Sequence, residues 1–155
     1  MLISLTENHR YYTQEGRIIL LSYQLPGKTY AGVVTKTRNK GGEIITMSWS
    51  RDGKCLTNSR YDIIPTLNYR ELAALINVTY DFIRIAYNSG KLNITPAFIN
   101  SREAVFHEHD VLNLLNSCSK NELRTLIVKA NKEVNRANYE RKINKKMNFN
   151  TVDNR

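Results

Sequence analysis

The residues best equipped for chemistry in this chain fall into two groups, a small catalytic-looking set and a large anion-binding set. His107-Glu108-His109-Asp110 is the densest run of metal-ligand types. It does not have the His-Glu-x-x-His spacing of a zinc hydrolase helix, and it reads as a cap for the helix that follows. Cys55 and Cys118 form no Cys-x-x-Cys pair, and Cys118 lies between Ser117 and Ser119 with no base in its neighbourhood of the sequence. Gly41-Gly42 is an isolated pair, so neither a P-loop nor a dinucleotide fingerprint is present. Asn77-Val78-Thr79 and Asn93-Ile94-Thr95 match the glycosylation sequon, which has no consequence in a cytoplasmic protein. The expectation is a non-enzyme with no catalytic residue, no metal and no cofactor.

Anion binding is better supplied. Lys129, Lys132, Arg136, Arg141, Lys142, Lys145 and Lys146 lie along or just beyond one helix. Such a set neutralises phosphates and gains affinity by releasing counterions. Lys36, Arg38 and Lys40, near Tyr30 and Trp49, are a second basic set with aromatic neighbours, as nucleic-acid surfaces have.

Composition agrees with a binding protein. The 155 residues carry 23 Lys and Arg against 14 Asp and Glu, a formal net charge of +9, and 41% are hydrophobic. No apolar run approaches the roughly 20 residues of a spanning helix. The N-terminus lacks the pattern of a signal peptide, so the expected setting is cytoplasmic. Charge is unevenly spread. Residues 1–65 hold 9 basic and 5 acidic side chains, net +4; residues 66–116 hold 4 and 5, net −1; residues 117–155 hold 10 and 4, net +6.

These charges need elements to position them. The first third predicts an antiparallel meander with strands at Arg17–Tyr23, Thr29–Thr37 and Gly42–Ser50, a short one at Lys54–Thr57, and Leu2–Leu5 as a candidate fifth. Pro26-Gly27, Asn39 to Gly42 and Asp52-Gly53 supply the turns. Ile45, Met47 and Trp49 are the expected inward row of the third strand. The pattern changes at Pro65, the expected boundary. Asn68 to Glu71 reads as a capping box for a first helix, Thr79 as the cap of a second over Tyr80–Asn88, and Gly90 as its left-handed stop. Ala97–Phe106 reads as a hairpin around Asn100-Ser101, and His109–Leu115 as a third short helix. Ser119 to Glu122 is another capping box. It opens a basic helix whose apolar seam is Leu123, Ile127, Ala130, Val134 and Ala137. The expected fold is therefore α+β: a small β-module over 1–65, a winged helix-turn-helix over 66–116, a basic amphipathic helix over 117–147 and a disordered tail over 148–155.

The middle stretch resembles a known family. Glu71-Leu72-Ala73, Val78-Thr79, Ser89-Gly90-Lys91-Leu92, Pro96, Arg102 with Phe106, and Asp110-Val111-Leu112 are similar in order and spacing to the excisionase-type, MerR-like winged helix-turn-helix domain. The resemblance implies that the second helix enters the major groove of double-stranded DNA and that the wing approaches the backbone or minor groove. By position, the groove-facing residues are then Tyr80, Asp81, Phe82, Arg84, Ile85 and Asn88, with Arg102, offset by Glu103, on the wing. Arg84 suits guanine O6 and N7, Asp81 suits cytosine N4, and Phe82 and Ile85 suit a thymine methyl. More faintly, Gly42 to Ile64 is similar to a small β-module of tailed-phage accessory proteins, which implies a phage or prophage origin.

Two functions follow as expectations. One is a DNA-binding accessory or regulatory protein acting in phage excision or transcription control. The other is a protein-binding module that presents Tyr80, Phe82 and Ile85 to a host or phage factor. The helical seam is expected to pair, either with its copy in a homodimer or against the β-module.

Overall fold

Alternation of apolar and polar side chains over residues 10–49 builds a sheet in the computed structural model, which describes residues 5–7, 9–27, 29–35, 44–100 and 103–152. Strands β1 (Arg10–Tyr12), β2 (Ile18–Leu25), β3 (Thr29–Thr35) and β4 (Ile44–Trp49) form an antiparallel meander in chain order. Trp49 is fully buried, and Ile45 and Met47 are half-buried on the same row, as the alternation requires. β2 bulges between Leu21 and Tyr23. Gly32 lies opposite, where a Cβ would come 2.3 Å from the Leu20 carbonyl oxygen, so only glycine fits this register.

The meander differs from expectation at both ends. Residues 2–4 lie outside the described residues, and Leu5 is buried without being in a strand. The first strand is instead Arg10–Tyr12, too short to show a period. The strand expected at Lys54–Thr57 shrinks to a single bridge between Trp49 and Cys55. Asp62 accepts from the Cys55 N–H at 2.8 Å, and a 3-10 turn at Ser59–Tyr61 pulls the chain away from the sheet edge.

Pro65 does not sit in a linker. The segment Tyr61–Leu67 is a strap bonded to both halves of the molecule. The Trp49 indole donates to the Tyr61 carbonyl at 2.7 Å, and the Ile63 N–H donates to Gly53 O at 2.8 Å. The Ile64 N–H donates to Tyr12 O at 2.9 Å. The Pro65 carbonyl, available because proline lacks only the N–H, accepts from Glu108 at 3.0 Å. Thr66–Leu67 then forms β5.

Beyond the strap come α1 (Tyr69–Ile76), α2 (Tyr80–Asn88), β6 (Phe98–Asn100), β7 (Glu103–His107), α3 (Glu108–Ser117) and α4 (Lys120–Val152). β5, β7 and β6 make a three-stranded antiparallel sheet. A second core gathers Leu67, Tyr69, Leu72, Ile76, Ile83, Phe106 and Val111. Tyr69, Tyr87 and Phe106 meet there with ring centroids 5.4–6.0 Å apart. The fold class is α+β, a four-stranded antiparallel sheet followed by helices.

Two features of α4 depart from expectation. It runs on through Val152, so residues 148–152, read from sequence as a disordered tail, continue the helix. Its seam packs within the chain on the α1–α2 pair and not on the β-module. Leu123, Ile127 and Ala130 are buried against the α1–α2 pair, Val134 is half-buried and Ala137 is exposed. Two short helices expose an apolar flank that no other element covers, and α4 closes it. Its start is fixed by a reciprocal box. The Ser119 N–H donates to Glu122 at 2.7 Å and the Glu122 N–H donates back to the Ser119 hydroxyl at 3.2 Å. Donation from the Ser119 N–H, and then from its hydroxyl, holds the Glu122 carboxyl below its ordinary range.

The caps of α1 and α2 are unequal. Asn68 and Glu71 form a complete box at 2.9 Å in each direction, whereas Thr79 makes no side-chain bond to its helix. Asn68→Ala should therefore lower unfolding free energy by about 1 kcal/mol, and Thr79→Ala should change it by less than about 0.5 kcal/mol. Urea unfolding of the two variants beside the parent chain checks the contrast.

Candidate nucleic-acid interface

The turn between α1 and α2 is set by Asn77, which adopts φ 62° and donates its N–H to Ala73 and Ala74 carbonyls. Asparagine tolerates this left-handed geometry better than most residues. Gly90, at φ +73°, ends α2 in the way its position suggests. Between these stops, Ile83 and Ala86 point inward and are fully buried.

The structure divides the six α2 residues expected to face a partner. Asp81 and Asn88 are exposed, Tyr80 is 37% exposed with its ring edge on Tyr69, and Arg84 is half-exposed. Phe82 packs on the second core, and Ile85 lines the cleft between α2 and α4 together with Arg84 and Asn88. At 100° per residue, positions 81, 84, 85 and 88 share one stripe about 100° wide, whereas 82 lies off it toward the core. Arg84 is not idle on that stripe. Its Nε and Nη2 both donate to one oxygen of Asp81, at 3.0 and 2.9 Å. An exposed pair of this kind contributes only about 0.2–1 kcal/mol, so it yields to a stronger partner.

The wing side is less informative. Residues 101–102, and with them Arg102, lie outside the described residues. Glu103 is engaged within the chain, where its carboxylate accepts from the Tyr69 N–H at 3.2 Å. The Phe98 ring of β6 lies 5.7 Å from Tyr12, which braces the hairpin against the first sheet.

The seven cations expected to bind phosphate lie on two faces of α4. The face that is buried over Ile127, Ala130, Asn131 and Val134 continues outward as Asn138, Arg141, Lys142 and Lys145. A groove of about 590 Å³ separates it from α2, lined by Arg84, Ile85, Asn88, Val134, Asn138 and Arg141 among others. Lys146 lies at the edge of this face, one turn beyond Lys142. Lys129, Lys132 and Arg136 fall on the opposite side, where Arg136 pairs with Glu140 at 3.0 Å. Tyr139, Ile143 and Met147 form an apolar row there. Sequence reasoning, tracking charge, passed over the amides Asn131, Asn135 and Asn138. Their spacing of 4 and 3 runs parallel to the apolar seam and was the available signal.

Asn131 is the hinge of this arrangement. It is 2% exposed, and its Nδ2 donates to Phe82 O at 3.0 Å and to Ile127 O at 2.9 Å, tying α2 to α4. Arg124 does the same for α1, donating to Ile76 O at 3.1 Å. Lys91 meets Glu133 at 3.6 Å at the far end of α2.

The other sets do not assemble. Lys36, Arg38 and Lys40 lie outside the described residues, and the aromatics proposed to join them, Tyr30 and Trp49, are buried in the first core. His107 caps α3 by position only, with no side-chain bond, and its ring faces Phe98. His109 contacts Asn113. Among the described residues no cluster of three or more His, Cys, Asp or Glu has metal-binding geometry, and no helix is long and apolar enough to cross a membrane. No protein-family model, no curated protein and no solved structure matches the chain.

The Asn131 hinge is testable through chemistry alone. Asn131→Asp places a carboxylate against two carbonyl oxygens in a buried site and should cost at least about 3 kcal/mol at neutral pH. Urea unfolding at pH 7 measures that loss, and it should shrink as the pH falls far enough to protonate the new carboxyl.

Proposed function

We propose that this chain is a duplex-DNA-binding accessory or regulatory protein, acting in excision or transcription control of a phage-like element, with residues 66–116 working as a winged helix-turn-helix. The observation that carries the reading is the α2 stripe. Asp81, Arg84 and Asn88 lie in one row on the solvent side of the helix, next to a groove rimmed by Arg141. The order helix, tight turn, helix, hairpin, helix agrees with the sequence resemblance.

In this reading α2 lies in the major groove. Arg84 leaves Asp81 for guanine O6 and N7, an exchange favoured because a bidentate base contact is worth about 1–3 kcal/mol. The released carboxylate can accept from a cytosine N4 amine, and Asn88 suits adenine. The alternative, a protein-docking face on Tyr80, Phe82 and Ile85, has less support. Phe82 and Ile85 are half-buried, which leaves Tyr80 as the exposed anchor of the three.

The test begins with a duplex selected by the protein from a randomised pool. Binding measured by anisotropy should weaken steeply between low and moderate salt. Arg84→Ala should cost about 1–3 kcal/mol on the selected duplex and leave binding to random duplex nearly unchanged, because base contacts specify and phosphate contacts position. Enrichment of no duplex, or affinity indifferent to both salt and Arg84, overturns the reading.

A further inference from the structure

The outer half of α4 extends past the body of the protein, and its two sides differ in chemistry. The side that continues the packed face carries Asn138, Arg141, Lys142 and Lys145, with no acidic residue among them. The three glutamates of α4, at 122, 133 and 140, are 11 and 7 residues apart. At 100° per residue they fall within one narrow stripe. All three are occupied: Glu122 by Ser119, Glu133 by Lys91 and Glu140 by Arg136. The α2 side is thus a rail of amides and cations, and residues 135–148 are exposed throughout.

Such a helix is poorly served by water alone. Over residues 135–148 it buries no apolar face, and Arg141 with Lys145, and Lys142 with Lys146, are like-charge pairs at i, i+4. Each of these disfavours an isolated helix. An anionic partner on the rail offsets the repulsion between these cations.

Helix dimensions say which anion. The major groove is about 12 Å wide and takes one helix of about 10–12 Å diameter. A helix packed beside the first, with its axis about 8–10 Å away, therefore cannot share the groove and lies over its wall, which is the phosphate backbone. α4 packs on α2 in this side-by-side way through Asn131, and the groove between them opens between Arg84 and Arg141.

We infer that the α2-side rail of α4, Asn138, Arg141, Lys142 and Lys145, seats the DNA backbone strand that borders the major groove entered by α2. The opposite cations, Lys129, Lys132 and Arg136, take no part in that complex. The inference rests on the DNA reading above and adds a position and a face to it.

Two charge-matched triples test it on the full chain. Arg141→Gln, Lys142→Gln and Lys145→Gln remove three charges from the rail. Lys129→Gln, Lys132→Gln and Arg136→Gln remove three from the other side of the same helix. Glutamine keeps helix propensity close to that of Lys and Arg, and thermal melts confirm that both triples fold. On one duplex, the rail triple should lose affinity by roughly tenfold or more at low salt and lower the slope of log K against log salt by about 3. The opposite triple should stay within about twofold of the parent, as a non-contacting surface does. Hydrogen exchange at residues 138–146 should slow when the duplex is added to the parent chain. Equal losses in the two triples, with duplex still bound by the parent, overturn the rail and leave the DNA reading standing. A parent chain that binds no duplex overturns the DNA reading itself.

Discussion

Everything in this molecule hangs on the seven residues from Tyr61 to Leu67. They lie between two hydrophobic cores and are bonded to both, so the sheet and the helices are not independent beads. The Tyr61 carbonyl holds the buried indole of Trp49, and the carbonyl of Pro65 receives the first N–H of α3. Alternate side chains follow the same logic: Tyr61 and Ile63 enter the first core, and Leu67 enters the second. A backbone whose polar groups are this fully used cannot act as a swivel. A second bond across the halves comes from Glu71, which completes the α1 cap with one oxygen and meets His9 at 2.8 Å with the other.

That fixed frame explains why α4 matters more than its polar composition suggests. The α1–α2 pair is too small to bury its own apolar flank, so Leu123, Ile127 and Ala130 complete its core. Their burial sets the rotation of the whole helix. Once those side chains face inward, every later residue is assigned a side by helical geometry. The rail and the away-facing cations are consequences of packing three turns earlier.

The electrostatics of the proposed interface follow the same division of labour. Residues 66–116 carry a net charge of −1, and α2 itself brings one Arg already paired to Asp81. A reader of this kind can discriminate bases but draws little affinity from phosphate. Residues 117–155, at +6, hold the excess positive charge, and α4 brings it alongside the reader. In the proposed complex, specificity and affinity would thereby rest on neighbouring helices.

Local signals in the sequence carried much of this. The capping boxes at Asn68–Glu71 and Ser119–Glu122, the span of α2, the stop at Gly90 and the inward row Ile45, Met47 and Trp49 depend on interactions between residues within a few positions of each other, and such interactions are written in spacing. The seam of α4 was legible as a seam for the same reason. What covers it was not, since burial against α1 and α2 is decided between residues about 50 positions apart. Tertiary packing alone drew Phe82 onto the second core, buried Tyr30 and Trp49 in the first, and made a strap of a segment that Pro65 marks as a break. It also sorted seven cations of one helix into two faces, because charge can be counted along a chain but its direction is set only when the apolar side of the helix finds its core.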